Sequence, residues 1–228
     1  AGVTVRLLNS AGTVLRSTVT NSAGFYSFTD LRPGTAYSLE FGTVPGMVRT
    51  SQIGGGLVIA TDSDANQTTG IAPFIAPLSG VNSATSPDDP TIDAGYYAPV
   101  RVGDYVWIDA NVNGIQDPAE VGVAGVTATL SGVDGAGNII GGTTVTDADG
   151  LYIFENLPPG TYTVTFSNLP AGYLVTTSNN AIGVANDSNG LEATSRLLPS
   201  GDEDLTLDLG IYLPVDLSIS KSLVTKGP

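Results

Sequence analysis

Two stretches of this chain are copies of one unit, and that duplication narrows the folds open to it. Ala1-Gly-Val-Thr-Val-Arg-Leu-Leu is matched by Ala124-Gly-Val-Thr-Ala-Thr-Leu-Ser. Gly24-Phe-Tyr-Ser-Phe-Thr-Asp-Leu-Arg-Pro-Gly-Thr is matched by Gly150-Leu-Tyr-Ile-Phe-Glu-Asn-Leu-Pro-Pro-Gly-Thr. Ala60-Thr-Asp-Ser-Asp then pairs with Ala185-Asn-Asp-Ser-Asn, and Asp93-Ala-Gly-Tyr-Tyr with Asp208-Leu-Gly-Ile-Tyr. The order is kept at a spacing of roughly 120 residues, a period of whole domains and not of solenoid turns. The predicted division is residues 1–98, residues 99–213, and a remainder of 214–228.

Each copy reads as a series of short strands. The 29 glycines and 14 prolines fall between brief apolar runs, which is the punctuation of an all-β chain. In the second copy the predicted strands are 102–108, 123–131, 138–146, 151–155, 160–167, 191–198 and 204–212. Tyr162, Val164 and Phe166 alternate with polar residues, as do Leu205, Leu207, Leu209 and Ile211. That period of two marks half-buried strands. Seven or so antiparallel strands with one apolar face each predict a β-sandwich, so the chain is expected to be two tandem prealbumin- or Ig-like sandwiches without a substantial helix. Tyr105 and Trp107 alternate with Val106 and Ile108, and packing of a first strand explains them more simply than a carbohydrate platform.

Between two of these strands lies Asp109-Ala-Asn-Val-Asn-Gly-Ile-Gln-Asp-Pro-Ala-Glu120. It satisfies the calcium-loop pattern D-x-[DN]-x-[DN]-G-x5-E at every constrained position. Calcium takes several oxygen ligands, and the loop offers Asp109, Asn111, Asn113, the Ile115 carbonyl, Asp117 and Glu120. Gly114 stands where the chain must turn sharply. The flanks are strands, so this is an EF-hand loop without its helices. The plainer reading is a solvated Asn/Gly turn, which seldom puts Glu at the twelfth position. Three carboxylates among the ligands imply the weak affinity of extracellular modules.

The charge suits a chain whose carboxylates are offset by bound cations. The formal charge of −14 disfavours nucleic acid as a partner. Cysteine and histidine are absent, so neither disulfides nor the commonest general base and transition-metal ligand are available. No site for catalysis is evident. No apolar run is long enough to predict membrane insertion. No leader is recognisable, and the chain opens within a strand, as a fragment or processed product would.

The order Gly103-Asp-Tyr-Val-Trp, the calcium loop, Gly125-Val, Thr146-Asp-Ala-Asp-Gly-Leu-Tyr-Ile-Phe, Leu157-Pro-Pro-Gly-Thr-Tyr and Asp208-Leu-Gly-Ile-Tyr resembles the B-type repeats of serine–aspartate-repeat adhesins. These belong to the wider collagen-adhesin B (Cna-B-like) group. The resemblance implies bacterial cell-surface modules with a prealbumin-like sandwich, several Ca2+ ions per repeat and a role as a stalk. It also implies calcium at further loops: Asp187 and Asn189, Asp147 and Asp149, and in the first copy Asp62 and Asp64. An Asp/Gly hairpin turn is the alternative at each. Members of the wider group often carry a Lys–Asn isopeptide staple. The only lysines here are Lys221 and Lys226, so no staple is expected within either copy.

The expected function is a calcium-rigidified stalk or spacer of a bacterial surface adhesin or extracellular filament, with neighbouring repeats or identical subunits as partners. The first copy lacks the strand and loop that match 102–123, while Val215-Asp-Leu-Ser-Ile-Ser alternates like a spare strand. Donation of 214–228 to another subunit would join them; an arbitrary cut at both ends explains the same facts. The competing class is an adhesion module whose loops grip a host protein or glycan.

Overall fold

The computed structural model describes residues 1–52, 62–77, 91–177 and 185–215. The first copy forms β1 (Thr4–Asn9), β2 (Val14–Val19), β3 (Ala36–Phe41), β4 (Val48–Arg49), β5 (Ile71–Ile75) and β6 (Tyr96–Tyr97). The second forms β7 (Val100–Ile108), β8 (Thr127–Asp134), β9 (Ile139–Val145), β10 (Leu151–Leu157), β11 (Gly160–Ser167), β12 (Leu174–Val175), β13 (Glu192–Thr194), β14 (Glu203–Asp204) and β15 (Leu209–Tyr212). Every regular element among the described residues is a strand. Residues 216–228, on which the strand-donation expectation falls, lie outside them.

In the second copy one sheet runs β13-β11-β8-β9 and the other β10-β7-β15-β12, with β14 also on β7. Alternation puts Tyr162, Val164 and Phe166 of β11, with Ala128 and Leu130 of β8, on one inner face. Val102 and Val106 of β7, with Leu209 and Ile211 of β15, join the same core. The first copy repeats half of this plan. Its sheet β5-β3-β1-β2 follows β13-β11-β8-β9 strand for strand, and its β4–β6 pair corresponds to β12–β15. Val5, Leu7, Leu39 and Phe41 centre its own core. Residues 25–30 match the start of β10 but form no strand. The ladder partner of β10 is β7, and no described strand of the first copy corresponds to β7. Phe25 is 73% exposed.

Several strand bounds differ from the sequence reading, and 191–198 is reduced to Glu192–Thr194. The predicted strand 204–212 is two short strands, and both run parallel to β7 rather than antiparallel. Between them the backbone bonds to side chains: Tyr152 Oη donates to the Leu207 carbonyl (2.5 Å), and the Asp208 amide donates to Asn189 Oδ1 (2.6 Å). The strand predicted from 123 starts at 127, because Gly125 (φ +83°) turns the chain first. The pair Leu174–Val175 is too short for alternation to reveal.

Candidate metal centre

The loop 109–120 begins as β7 leaves the sheet, and the Asp109 amide donates to the Ile211 carbonyl at 2.8 Å. Asp109 is fully buried. Its carboxylate accepts from the Gly114 amide (2.8 Å), the Asn113 amide (3.2 Å) and Thr176 Oγ1 (2.5 Å). Burial pushes its pKa up, but these donors outweigh burial and hold it below the ordinary carboxyl value. Glu120 closes the loop by accepting from the Ala110 amide (2.8 Å) and the Asp117 amide (3.0 Å). Gly114 has φ +76°, and a Cβ there would meet the Thr177 carbonyl oxygen at 2.4 Å. Conformation and space therefore both demand glycine.

The donor set fits a hard cation. Asn111 Nδ2 (2.7 Å) and Asn113 Nδ2 (3.2 Å) both donate to one oxygen, Oδ2 of Asp117. Two partial positive charges thus converge on a carboxylate, the arrangement a cation would replace. The carboxamide oxygens accept from the backbone instead, Asn111 Oδ1 from the Asn113 amide (3.0 Å) and Asn113 Oδ1 from the Ile115 amide (2.7 Å), so each carboxamide must turn to offer its oxygen to an ion. Among the described residues no three acidic side chains form a ready-made cage; the loop's ligands are a mixture of carboxylate, amide and carbonyl oxygens.

The fold brings the second predicted loop against the first. Ile115 bridges Asp187, the Gln116 amide donates to the Asn186 carbonyl (2.8 Å), and the Ser188 amide donates to the Gly114 carbonyl (3.0 Å). Asp187 and Ser188 are buried there. Asn189 spends its Oδ1 on the Asp208 amide, and its counterpart Asp64 accepts from the Asp93 amide at 2.7 Å. Each copy thereby ties this loop to its closing strand. Asp62 and Asp64 sit together near Asp93 in the first copy and raise its pKa, after burial as the largest cause. Asp147 and Asp149 are exposed in a hairpin turn, where Asp147 Oδ1 accepts from the amides of Asp149 and Leu151 (both 2.9 Å). Asn21, at the matching place, accepts the same way from Ala23 and Phe25. The turn needs one side-chain oxygen and no charge.

Sequence reading passed over Asp104 and Asp208. They hydrogen-bond to each other within the second copy, and Asp208 is fully buried with one oxygen unpartnered among the described residues. Burial first, then Asp104 and Asp187, push Asp208 up to about 9. Burial first, then Asp204, against the bond from Asp208, bring Asp104 to about 6. The available signal was Asp208 recurring as Asp93 between apolar residues of the closing strand.

Both folded-state values lie above the ordinary value of about 3.9. The folded protein therefore holds protons that the unfolded chain has released. This stability is full below about pH 4 and is lost as pH rises through about 6 and then about 9. In EDTA, the urea midpoint followed by Trp107 fluorescence should fall over that range, by up to about 1.4 kcal/mol per pH unit for each proton. Asp208→Asn should flatten the upper part, and an unchanged slope would contradict the assignment.

An open depression of about 450 Å3 lies beside the loop, lined by Tyr105, Val121, Gly122, Ala148, Asp149 and Leu151. It has a single aromatic wall.

The family model described as the SdrD B-like domain matches residues 1–96 and 100–211. The serine-aspartate repeat-containing protein F of Staphylococcus epidermidis is 40% identical over 213 residues, covering 93% of this chain and 11% of that protein. The serine-aspartate repeat-containing protein D of Staphylococcus aureus strain Newman is also 40% identical over 213 residues, covering 93% of this chain and 15% of that protein. The chain thus spans a small part of the relatives it matches. Among solved structures, the minor pilin GBS52 of Streptococcus agalactiae aligns over 97% of this chain and 87% of that chain, at 13% identity and a TM-score of 0.35. The shaft pilin SpaA of Lactobacillus rhamnosus GG aligns over 95% and 89%, at 10% identity and a TM-score of 0.34.

Proposed function

The chain belongs to the SdrD B-like domain family, and from that premise we propose that it is a calcium-stiffened spacer within a bacterial cell-surface protein. The supporting observation is the loop 109–120, which carries the full oxygen-ligand pattern and is braced where β7, β12 and the 185–190 segment meet. Asp109, Asp117 and Glu120 would hold the ion with Asn111, Asn113 and the Ile115 carbonyl. Bound calcium would offset the concentrated negative charge of this pole. The chain itself supplies the frame: Thr176 and the Gly114 amide position Asp109, and the 186–188 backbone braces the middle of the loop. With the ends of β7 and β15 pinned together, the sandwich resists splaying.

Titration calorimetry with calcium chloride tests this reading. Wild type is expected to bind with a dissociation constant of about 10⁻⁴–10⁻³ M or tighter. Glu120→Gln, which removes one of three carboxylates, is expected to weaken that binding at least tenfold. Equal isotherms for the two proteins would contradict the loop as the site.

A further inference from the structure

The junction between the copies carries a set of contacts that owes nothing to the metal loop. Tyr97 is still in the first copy's sheet, where it pairs with Val48 of β4. Val100 already begins β7 and is buried. Only Ala98 and Pro99 lie between. The Ala98 amide donates to Ser200 Oγ (2.8 Å), and the Ala98 carbonyl accepts from the Gly201 amide (2.9 Å). Pro99 has no N–H to offer and fixes its own φ. From Arg101 the pairing resumes: its amide donates to the Asp202 carbonyl (3.3 Å), Glu203 pairs with it in the parallel ladder, and the two side chains form an ion pair at 2.5 Å. The ladder between the first strand and segment 200–204 is thus extended backwards across the proline, into the last residue of the preceding copy.

Gly201 shows how closely the parts meet. Its φ is +80°, and a Cβ there would lie 3.3 Å from the Ala98 Cβ. The Ser200–Gly201 turn presents one hydroxyl acceptor and one amide donor, spaced for the amide and carbonyl of a single residue. The partner it fits is an exit segment of the form Tyr-x-Pro-Val. That sequence recurs as Tyr212-Leu213-Pro214-Val215. There Leu213 is 58% and Val215 81% exposed, whereas Ala98 is half-buried and Val100 1% exposed.

We propose that the Tyr-x-Pro-Val exit of one repeat and the Ser-Gly turn at the base of the next form a recurring joint that fixes the angle between repeats, and that the joint at 97–100 forms without calcium. In this chain the joint is 97–100 with 200–201, and residues 212–215 are the surface that the base of a further repeat of this type would cover. The inference rests on the spacer reading for its use, but its mechanism is separate. The metal loop belongs to the opposite pole of the second repeat.

The joint is tested on the whole chain by amide relaxation and hydrogen exchange, with and without EDTA. In wild type the two repeats should tumble with one rotational correlation time in both conditions, and the Ala98 amide should be protected. Ser200→Ala should speed exchange at Ala98 by about tenfold, in line with the loss of one hydrogen bond; Ser200→Thr should restore it. Ser200→Ala combined with Gly201→Pro should give two separate correlation times, while the Trp107 emission of the folded second repeat is kept. Independent tumbling of wild type in EDTA, or unchanged coupling and Ala98 exchange in the variants, overturns the joint. A melting temperature indifferent to EDTA would instead overturn the calcium reading and leave the joint intact.

Discussion

Removing calcium is expected to lower the melting temperature of the second repeat by about 6–22 °C. At 10 mM calcium, a site with a dissociation constant of about 10⁻⁴–10⁻³ M adds about 1.4–2.7 kcal/mol by mass action. For a domain near 100 residues, each kcal/mol moves the midpoint by about 4–8 °C. Trp107 is the only tryptophan, so its fluorescence reports this repeat and not the first. Glu120→Gln, bound tenfold more weakly, should keep only about 0.4–1.4 kcal/mol of that gain at 10 mM calcium and melt between the two wild-type midpoints. Wild-type scans that coincide in calcium and in EDTA would contradict the stiffening role.

Trp107→Ala is expected to cost about 3–5 kcal/mol, a large part of the roughly 5–15 kcal/mol that holds a domain folded. The indole is fully buried on β7, the strand that joins β10 to β15. Its place is made by an absent side chain. Gly210 pairs with Trp107, and a Cβ at Gly210 would lie 3.0 Å from the indole Cζ2. Truncation therefore opens a cavity against Gly210, which has no side chain to fill it. Trp107→Phe should cost clearly less than Trp107→Ala. It keeps an aromatic ring, and it removes an indole Nε1 that has no partner among the described residues. Urea unfolding followed by far-ultraviolet circular dichroism measures both; a cost below about 1 kcal/mol for Trp107→Ala would contradict a central role for β7.

The sandwich was readable because burial writes a period of two into β11: Tyr162, Val164 and Phe166 face inward with polar residues between. The same period misled over 204–212. There Leu207 is buried while its backbone carbonyl bonds to Tyr152, so apolar alternation continued where the ladder did not. The loop 109–120 was legible because each of its constraints is local, down to the left-handed Gly114. What sequence did not reveal was its company. Thr176 lies 67 residues from Asp109 in the chain, yet donates to its carboxylate. Asp187 reaches Ile115 only through the sheet order. Asp104 and Asp208 went unremarked because an isolated acidic residue in a strand reads as solvent-facing until its neighbours are known. Ser200 and Gly201 fall between predicted strands, and only the path of Ala98 gives them a task.

Crystals of the chain grown in abundant calcium test the central claim most directly. The expected result is a peak between Asp109 and Glu120 with six or more oxygens at about 2.3–2.6 Å, and with the carboxamide oxygens of Asn111 and Asn113 turned toward it. A well-ordered loop without that peak, its two carboxamide nitrogens still donating to Asp117, would contradict it.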